Sequence, residues 1–222
     1  MKGAKQAIDQ PLICVIDDDA EVRGALETLL RSADFRVAAF ADPGAFMASD
    51  EADAAACLIL DIRLKDADGL DFQQTLLEAD YRVPVILITG HGDIPMTVRG
   101  MKAGAIDFLA KPFVDDALLK AIDEAVRRDL ERRSEERTGD TLKVLYAGLT
   151  PRERDVMGLV TAGLMNKQIA ARLELSEVTV KIHRGNLMRK MQAPSLADLV
   201  RMAETLGVRD SAAARYSRVS SS

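Results

Sequence analysis

Three apolar runs in the first half of the chain each end at a group that can do chemistry. Leu12–Ile16 leads into Asp17, Asp18 and Asp19; Cys57–Leu60 leads into Asp61; Val85–Ile88 leads into Thr89. A fourth run, Ile106–Ala110, leads into Lys111-Pro112. Short apolar runs that stop at a polar residue are how buried parallel strands deliver side chains to the carboxyl edge of an open α/β sheet, where ligand sites lie. If these strands are parallel, Asp17, Asp18, Asp61, Thr89 and Lys111 meet at one edge. Three carboxylates that close repel one another unless a cation sits among them. An all-oxygen set without His or Cys suits Mg²⁺, which keeps several waters and accepts a phosphate ligand. A Lys and a Thr hydroxyl beside it can hold phosphoryl oxygens. The coherent chemistry is phosphoryl transfer onto Asp61. Each residue alone is ordinary: an Asp after a strand is more often a helix cap than a nucleophile, and a Lys-Pro is usually a turn. The coincidence of all five, in this order, carries the argument.

These groups need a scaffold. Val22, Ala25, Leu26, Leu29 and Leu30 recur at helical spacing after the first run. Arg36–Phe40 reads as a second strand, and Pro43 opens a short helix. Helices follow over about Leu70–Glu78 and Pro95–Ala103, the latter closed by Gly104. Alternating strands and helices predict a five-stranded, doubly wound parallel sheet.

Composition bounds the rest. The chain has 222 residues, 48% of them hydrophobic, and no Trp, so its cores are aliphatic. No run approaches the roughly 20 apolar residues that span a bilayer. The start, MKGAKQAIDQPL, lacks a signal-peptide apolar region. Both features predict a soluble, cytoplasmic protein with no membrane partner. Cys14 and Cys57 fall inside strand runs and read as small buried hydrophobes rather than a disulfide. The net charge of −5 is unevenly spread: residues 1–116 carry −10, 117–139 balance, and 140–222 carry +5. An acidic half joined to a basic half predicts two domains with different partners, nucleic acid among them.

The join, residues 126–147, is rich in helix formers of alternating charge. It reads either as a solvated linker or as a signalling helix, with Leu130 extending the preceding apolar stripe and Gly139-Asp140 breaking the helix. Beyond it, Thr150-Pro151-Arg152-Glu153 is a capping box with Pro at the first helical position. Gly163 ends that helix and Asn166 can cap the next. Ser176 caps a basic helix, with Val178, Ile182, Leu187 and Met191 assigned to its apolar positions, and Ser195 caps a fourth helix. Two short helices, a tight turn and a basic helix describe a helix-turn-helix whose exposed side enters a DNA major groove.

Residues 1–125 resemble a response-regulator receiver domain. Val15-Ile16-Asp17-Asp18-Asp19, Leu60-Asp61, Ile88-Thr89-Gly90 and Asp107-Phe108-Leu109-Ala110-Lys111-Pro112 carry the likeness. The resemblance implies that Asp61 accepts phosphate from the phosphohistidine of a sensor histidine kinase. It also implies that Asp17, Asp18, Asp61 and the backbone carbonyl of Arg63 hold Mg²⁺. Thr89 and Phe108 would be the switch pair, Lys111 would bind the phosphoryl group, and the Lys111–Pro112 bond would be cis. Leu64-Lys65 replace the Met-Pro often found in the family, which implies a looser loop. Phe108 stands where a Tyr could add a phenolic bond. His91, within Gly-His-Gly-Asp, reads as structural for one subgroup rather than as a general base.

Residues 148–209 resemble a LuxR-type domain through Leu149-Thr150-Pro151-Arg152-Glu153, Gly163, Asn166-Lys167, Ile169-Ala170, Ser176, Thr179-Val180-Lys181 and His183. By position Lys167, Thr179, Lys181, His183 and Arg184 are candidates for DNA contact. Val180 is either an apolar base contact or core, and His183 has a helix-packing alternative. The fourth helix resembles the one through which such domains dimerise, and residues 210–222 read as a mobile tail. Together the halves resemble the NarL/FixJ class of transcriptional response regulators. That implies a homodimer on activation, promoter DNA as partner, and RNA polymerase nearby. Two rivals are a phosphorylation-independent DNA-binding regulator and an aspartate-dependent phosphohydrolase. The hydrolase needs a second carboxylate two residues after the nucleophile, where Arg63 stands, so the chain is not expected to be an enzyme.

Overall fold

The computed structural model describes residues 10–90 and 94–208. Gly-His-Gly-Asp from His91 onward, and the tail after 208, lie outside the described residues. The chain divides between Arg133 and Ser134 into two compact units.

The first unit is built on strands β1 (Leu12–Ile16), β2 (Arg36–Phe40), β3 (Ala55–Asp61), β4 (Val85–Thr89) and β5 (Asp107–Ala110). All neighbours pair in parallel, in the order β2-β1-β3-β4-β5. The helices are α1 (Ala20–Ser32), α2 (Pro43–Met47), α3 (Glu51–Ala54), α4 (Gly69–Glu78), α5 (Ile94–Lys102) and the start of α6 (Asp115–Ala147). Strands β1, β3 and β4 are buried along their whole length, because helices cover both faces of a parallel sheet. Alternate side chains split between two cores. Cys14, Ile16, Leu58, Leu60 and Leu87 pack with Phe46, Leu70 and Leu76. Ile13, Val15, Ile59, Ile86 and Ile88 pack with Leu26 and Leu30 of α1 and Leu118 and Ile122 of α6. Helix starts after the strands are capped by carboxylates: Asp19 accepts from the amides of Glu21 and Val22, and Asp68 from those of Leu70 and Asp71.

The structure differs from expectation at four points in this unit and at its exit. Helix α3 was not foreseen, and β3 starts two residues earlier than the apolar run implied. Leu130 does not continue the stripe of α6: it is exposed, and Asp129 takes the buried position. Asp129 is held there by Arg132 at 2.5 Å and Arg133 at 2.5 Å, and Arg133 also donates to the Ala55 carbonyl at 2.9 Å. Gly139-Asp140 does not break the helix, which runs unbroken from Asp115 to Ala147. A mid-helix Gly costs only about 1 kcal/mol, too little to stop a helix anchored downstream by buried Leu142.

The second unit packs α7 (Pro151–Thr161), α8 (Asn166–Leu173), α9 (Glu177–Lys190) and α10 (Leu196–Thr205) around one aliphatic core. Val156, Leu159, Ile169, Val180, Leu187, Met191 and Leu199 form its centre. The capping box at Thr150 is complete: Glu153 accepts from the Thr150 amide at 2.8 Å, and the Glu153 amide donates back to the Thr150 hydroxyl at 3.3 Å. Glu153 is buried and also pairs with Lys190 at 2.7 Å, joining α7 to α9. Gly163 takes a positive φ of 91° just past α7, the left-handed turn that ends a helix. Asn166 is not the cap of α8 but its first residue; Met165 precedes it, and the Asn166 side chain instead accepts from Arg184 of α9 at 2.6 Å.

Candidate functional site

Register places the carboxylates. Ile16 of β1 pairs with Leu60 of β3, so Asp17 and Asp61 emerge side by side at the carboxyl edge. Asp61 is level with Ile88 of β4, and Thr89 pairs with Ala110 of β5. The Lys111 amide donates to the Thr89 carbonyl at 2.7 Å, which brings the Lys111 side chain back over the edge. Its ammonium lies 2.6 Å from Asp17 and 2.6 Å from Asp61. Carboxylate oxygens of Asp17, Asp18 and Asp61 lie within 4.8 Å of one another. Asp17 and Thr89 are wholly buried, Asp61 is 6% exposed, and Asp18 faces solvent. Phe108 is half-buried against the α4 side of the sheet. The Lys111–Pro112 bond is cis.

The electrostatics suit a cation-dependent anion site. Burial pushes the Asp17 carboxyl above its ordinary value, while hydrogen bonds from Lys111 and the Asp19 amide pull the other way. Burial would lower Lys111, but its bonds to Asp17 and Asp61 outweigh that and hold it above its ordinary value. Three carboxylates face one ammonium, and the donor set is hard oxygen only. A hard divalent ion such as Mg²⁺ fits that set.

Sequence reasoning missed three parts of this pocket. Asp19 was grouped with the strand-end acids, yet it caps α1, and its amide donates to Asp17 at 2.9 Å. Arg23 donates to the Asp17 carbonyl at 2.6 Å. Gly69 sits so close to the Asp61 backbone that a Cβ there would lie 2.3 Å from the Asp61 carbonyl oxygen. An Asp eight residues before a Gly at a helix start was the available signal for that approach. Arg63, whose carbonyl was the fourth expected ligand, has its amide bonded to Asp61 Oδ1 at 2.9 Å and forms a bridge with Asp68 that closes the loop.

The second unit presents a different surface. Helix α9 exposes Val178, Lys181, Ile182, Gly185 and Arg189 along one stripe, and Lys167 of α8 is exposed as well. Val180 is corrected from candidate DNA contact to core: it is wholly buried with Leu187 and Met191. Val178 and Ile182, expected inside, are 68% and 59% exposed. Thr179 is half-buried, its hydroxyl 2.8 Å from that of Ser176, which caps α9. Arg184 and His183 are half-buried, and Arg184 is engaged by Asn166.

A family model for the response regulator receiver domain matches residues 13–123, and one for bacterial regulatory proteins of the luxR family matches residues 147–203. The chain belongs to the response regulators. Its relatives include nodulation protein W of Bradyrhizobium diazoefficiens, 50% identical over 93% of this chain and 91% of that protein. Transcriptional regulatory protein FixJ of the same organism is 41% identical over 88% of this chain and 96% of that one. Among solved structures, response regulator StyR matches with a TM-score of 0.79 at 47% identity, covering 88% of this chain and 98% of that one. Full-length FixJ from B. japonicum matches with a TM-score of 0.53 at 40% identity, covering 90% and 98%. This response regulator is therefore FixJ-like: a receiver domain followed by a LuxR-type DNA-binding domain. Among the described residues no helix is long and apolar enough to cross a membrane.

Proposed function

We propose that this response regulator accepts a phosphoryl group on Asp61 from the phosphohistidine of a sensor histidine kinase, and that the change governs dimerisation and promoter binding. The observation that carries this reading is Lys111 held at 2.6 Å from both Asp17 and Asp61, with Asp18 completing the acidic set. Asp17, Asp18, Asp61 and the Arg63 carbonyl would hold Mg²⁺, which supplies charge neutralisation at the phosphoryl oxygens. An Asp61 carboxylate oxygen forms a bond to phosphorus while the bond from phosphorus to the donor's imidazole nitrogen breaks. Lys111 meets the phosphoryl oxygens, and Pro112, Thr89 and the strand ends keep it in place.

The new phosphoryl oxygens give the Thr89 hydroxyl and the Phe108 ring a reason to rearrange, which biases a two-state equilibrium. The output is a homodimer whose two α9 helices enter successive major grooves, with RNA polymerase nearby at the promoter. In this reading Lys167, Lys181 and Thr179 would meet phosphates or base edges, and Val178 and Ile182 thymine methyl groups; their exposure on α8 and α9 supports it for all but half-buried Thr179. The cytoplasm is the compartment this role requires. Arg63 in place of a second carboxylate speaks against a phosphohydrolase. The test is intact mass after incubation with phosphoramidate and Mg²⁺, followed by light scattering. Wild type should gain one phosphoryl group and double its mass, and Asp61→Asn should do neither. Equal DNA affinity of wild type and Asp61→Asn under phosphorylating conditions would overturn the coupling.

A further inference from the structure

Glycine is, after proline, the least favourable residue in the interior of a helix, so its presence there calls for a physical reason. In α5 the fold itself gives one: a Cβ at Gly100 would lie 2.2 Å from Cδ1 of Leu87 on β4. In α9 the fold gives none. Gly185 lies well inside Glu177–Lys190, and its φ is not positive. A Cβ built on it would meet nothing within 4 Å. Neither strain nor any described neighbour excludes a side chain there.

The reason then lies outside the chain, and the surface around Gly185 shows its kind. Lys181, Ile182 and Arg189 lie three or four residues away on the same exposed stripe, with Val178 a turn further on. The stripe carries two cations, two branched aliphatic side chains and no carboxylate. At its middle the missing side chain leaves a notch between Ile182 and Arg189. Gly24 of α1 and Gly139 of α6 also have open space where a Cβ would stand. Exposed Glu21 lies beside the first, however, and exposed Glu135 and Glu136 beside the second. Those surfaces repel a phosphate backbone, whereas the stripe on α9 attracts one. The notch is small, and Ile182 makes one of its sides apolar. Of the groups that a major groove presents, the C5 methyl of thymine is the small apolar one.

We propose that Gly185 is a specificity-determining residue: the notch it leaves in α9 seats the C5 methyl of one thymine, against Ile182. The inference rests on the reading of α9 as the helix that enters the groove. A side chain at this position would contend with the methyl for the same space. The glycine therefore selects thymine over a pyrimidine without the methyl at one operator position.

The experiment uses the full chain, incubated with phosphoramidate and Mg²⁺, and a duplex that the wild type enriches from a pool of random sequences. Each thymine is replaced in turn by deoxyuridine, which lacks only the methyl, and affinities are read by anisotropy. At the seated thymine, uracil should weaken wild type about fourfold. Gly185→Ala should bind the parent duplex about tenfold more weakly than wild type. At that one position it should prefer uracil, because the alanine methyl takes the space of the thymine methyl. Its urea midpoint for the second unit should nevertheless rise, as expected for Ala in place of Gly in a helix, so weaker binding is not a folding defect. Gly24→Ala and Gly139→Ala should bind like wild type. Undiminished binding of the parent duplex by Gly185→Ala would overturn the proposal. So would a preference for thymine that survives the substitution at every position, or an equal loss in Gly139→Ala. Lys181→Ala and Ile182→Ala tell the two failures apart. If they weaken binding while Gly185→Ala does not, only the notch is lost; if they too have no effect, α9 is not the helix in the groove.

Discussion

The two units assemble their functional surfaces in opposite ways. The acidic pocket joins residues far apart in sequence: Lys111 bridges to Asp17 across 94 positions and to Asp61 across 50. It exists only because strand register and one backbone hydrogen bond align the chain ends. The face on α9 is made within a single helix of 14 residues, by spacing alone. The first surface is therefore cooperative, and losing one group should cost nearly the whole function. The second should be divisible, each side chain contributing its own share to binding.

That contrast can be broken by substitution. The largest effect is expected at Lys111. Lys111→Met removes the ammonium that bridges Asp17 and Asp61, and phosphorylation of Asp61 should slow by about 100-fold in an intact-mass time course. A change under tenfold would mean that the pocket is as divisible as the helix face. Next is Gly69→Ala. A methyl 2.3 Å from the Asp61 carbonyl oxygen forces backbone to move, and the receiver transition in urea should lose about 1–3 kcal/mol. Phosphorylation should fall as well, because the displaced residue is the proposed acceptor.

In the second unit stability and recognition should separate. Val180→Ala should cost roughly 1–3 kcal/mol of folding stability, since its side chain is wholly buried. Ile182→Ala should change stability by less than about 0.5 kcal/mol yet weaken specific DNA binding several-fold in an anisotropy titration. Loss of stability in Ile182→Ala equal to that in Val180→Ala would contradict the placement of Ile182 outside the core.

The smallest effect concerns Glu153. Burial alone would raise its carboxyl, but bonds from Lys190 and the Thr150 amide outweigh that and hold it below its ordinary value of 4.5. A lowered folded pKa means that the unfolded chain binds the proton more readily. The stability Glu153 contributes is then complete above pH 4.5 and fades as pH falls through the lower folded value. Glu153→Gln should lose about 1 kcal/mol at neutral pH and show a flatter decline in acid, read from urea midpoints between pH 7 and pH 3.

Much of the pocket was legible because buried parallel strands are written as unbroken apolar runs, and their ends are visible wherever such a run meets an acid. The β1 to β5 order and the meeting of Asp17, Asp61 and Lys111 follow from that pattern. Helix α9 was harder. Val178 and Ile182 form one apolar stripe, Val180, Leu187 and Met191 another, and periodicity alone does not choose between them. Packing against α7 and α8 decides. In α6 the misleading signals were Leu130 and Gly139. An Asp with two arginines within four residues can occupy a position that apolar patterning would assign to Leu, because Arg132 and Arg133 neutralise it. Gly69 is legible as the close of a loop before a helix, but its contact with the Asp61 backbone belongs to the tertiary structure.

The paired central strands carry one further property. Cys14 and Cys57 sit on β1 and β3, both fully buried, with the Cys14 thiol pushed up to about 12 and that of Cys57 also raised by burial. Neither offers a thiolate to an oxidant or an alkylating reagent while the sheet is closed. Labelling by a thiol reagent thus becomes a clock for the opening of the sheet's interior, built into the chain without any added probe. Slower labelling in the presence of a phosphoryl mimic would measure how tightly occupation of the Asp61 pocket clamps the strands that carry it.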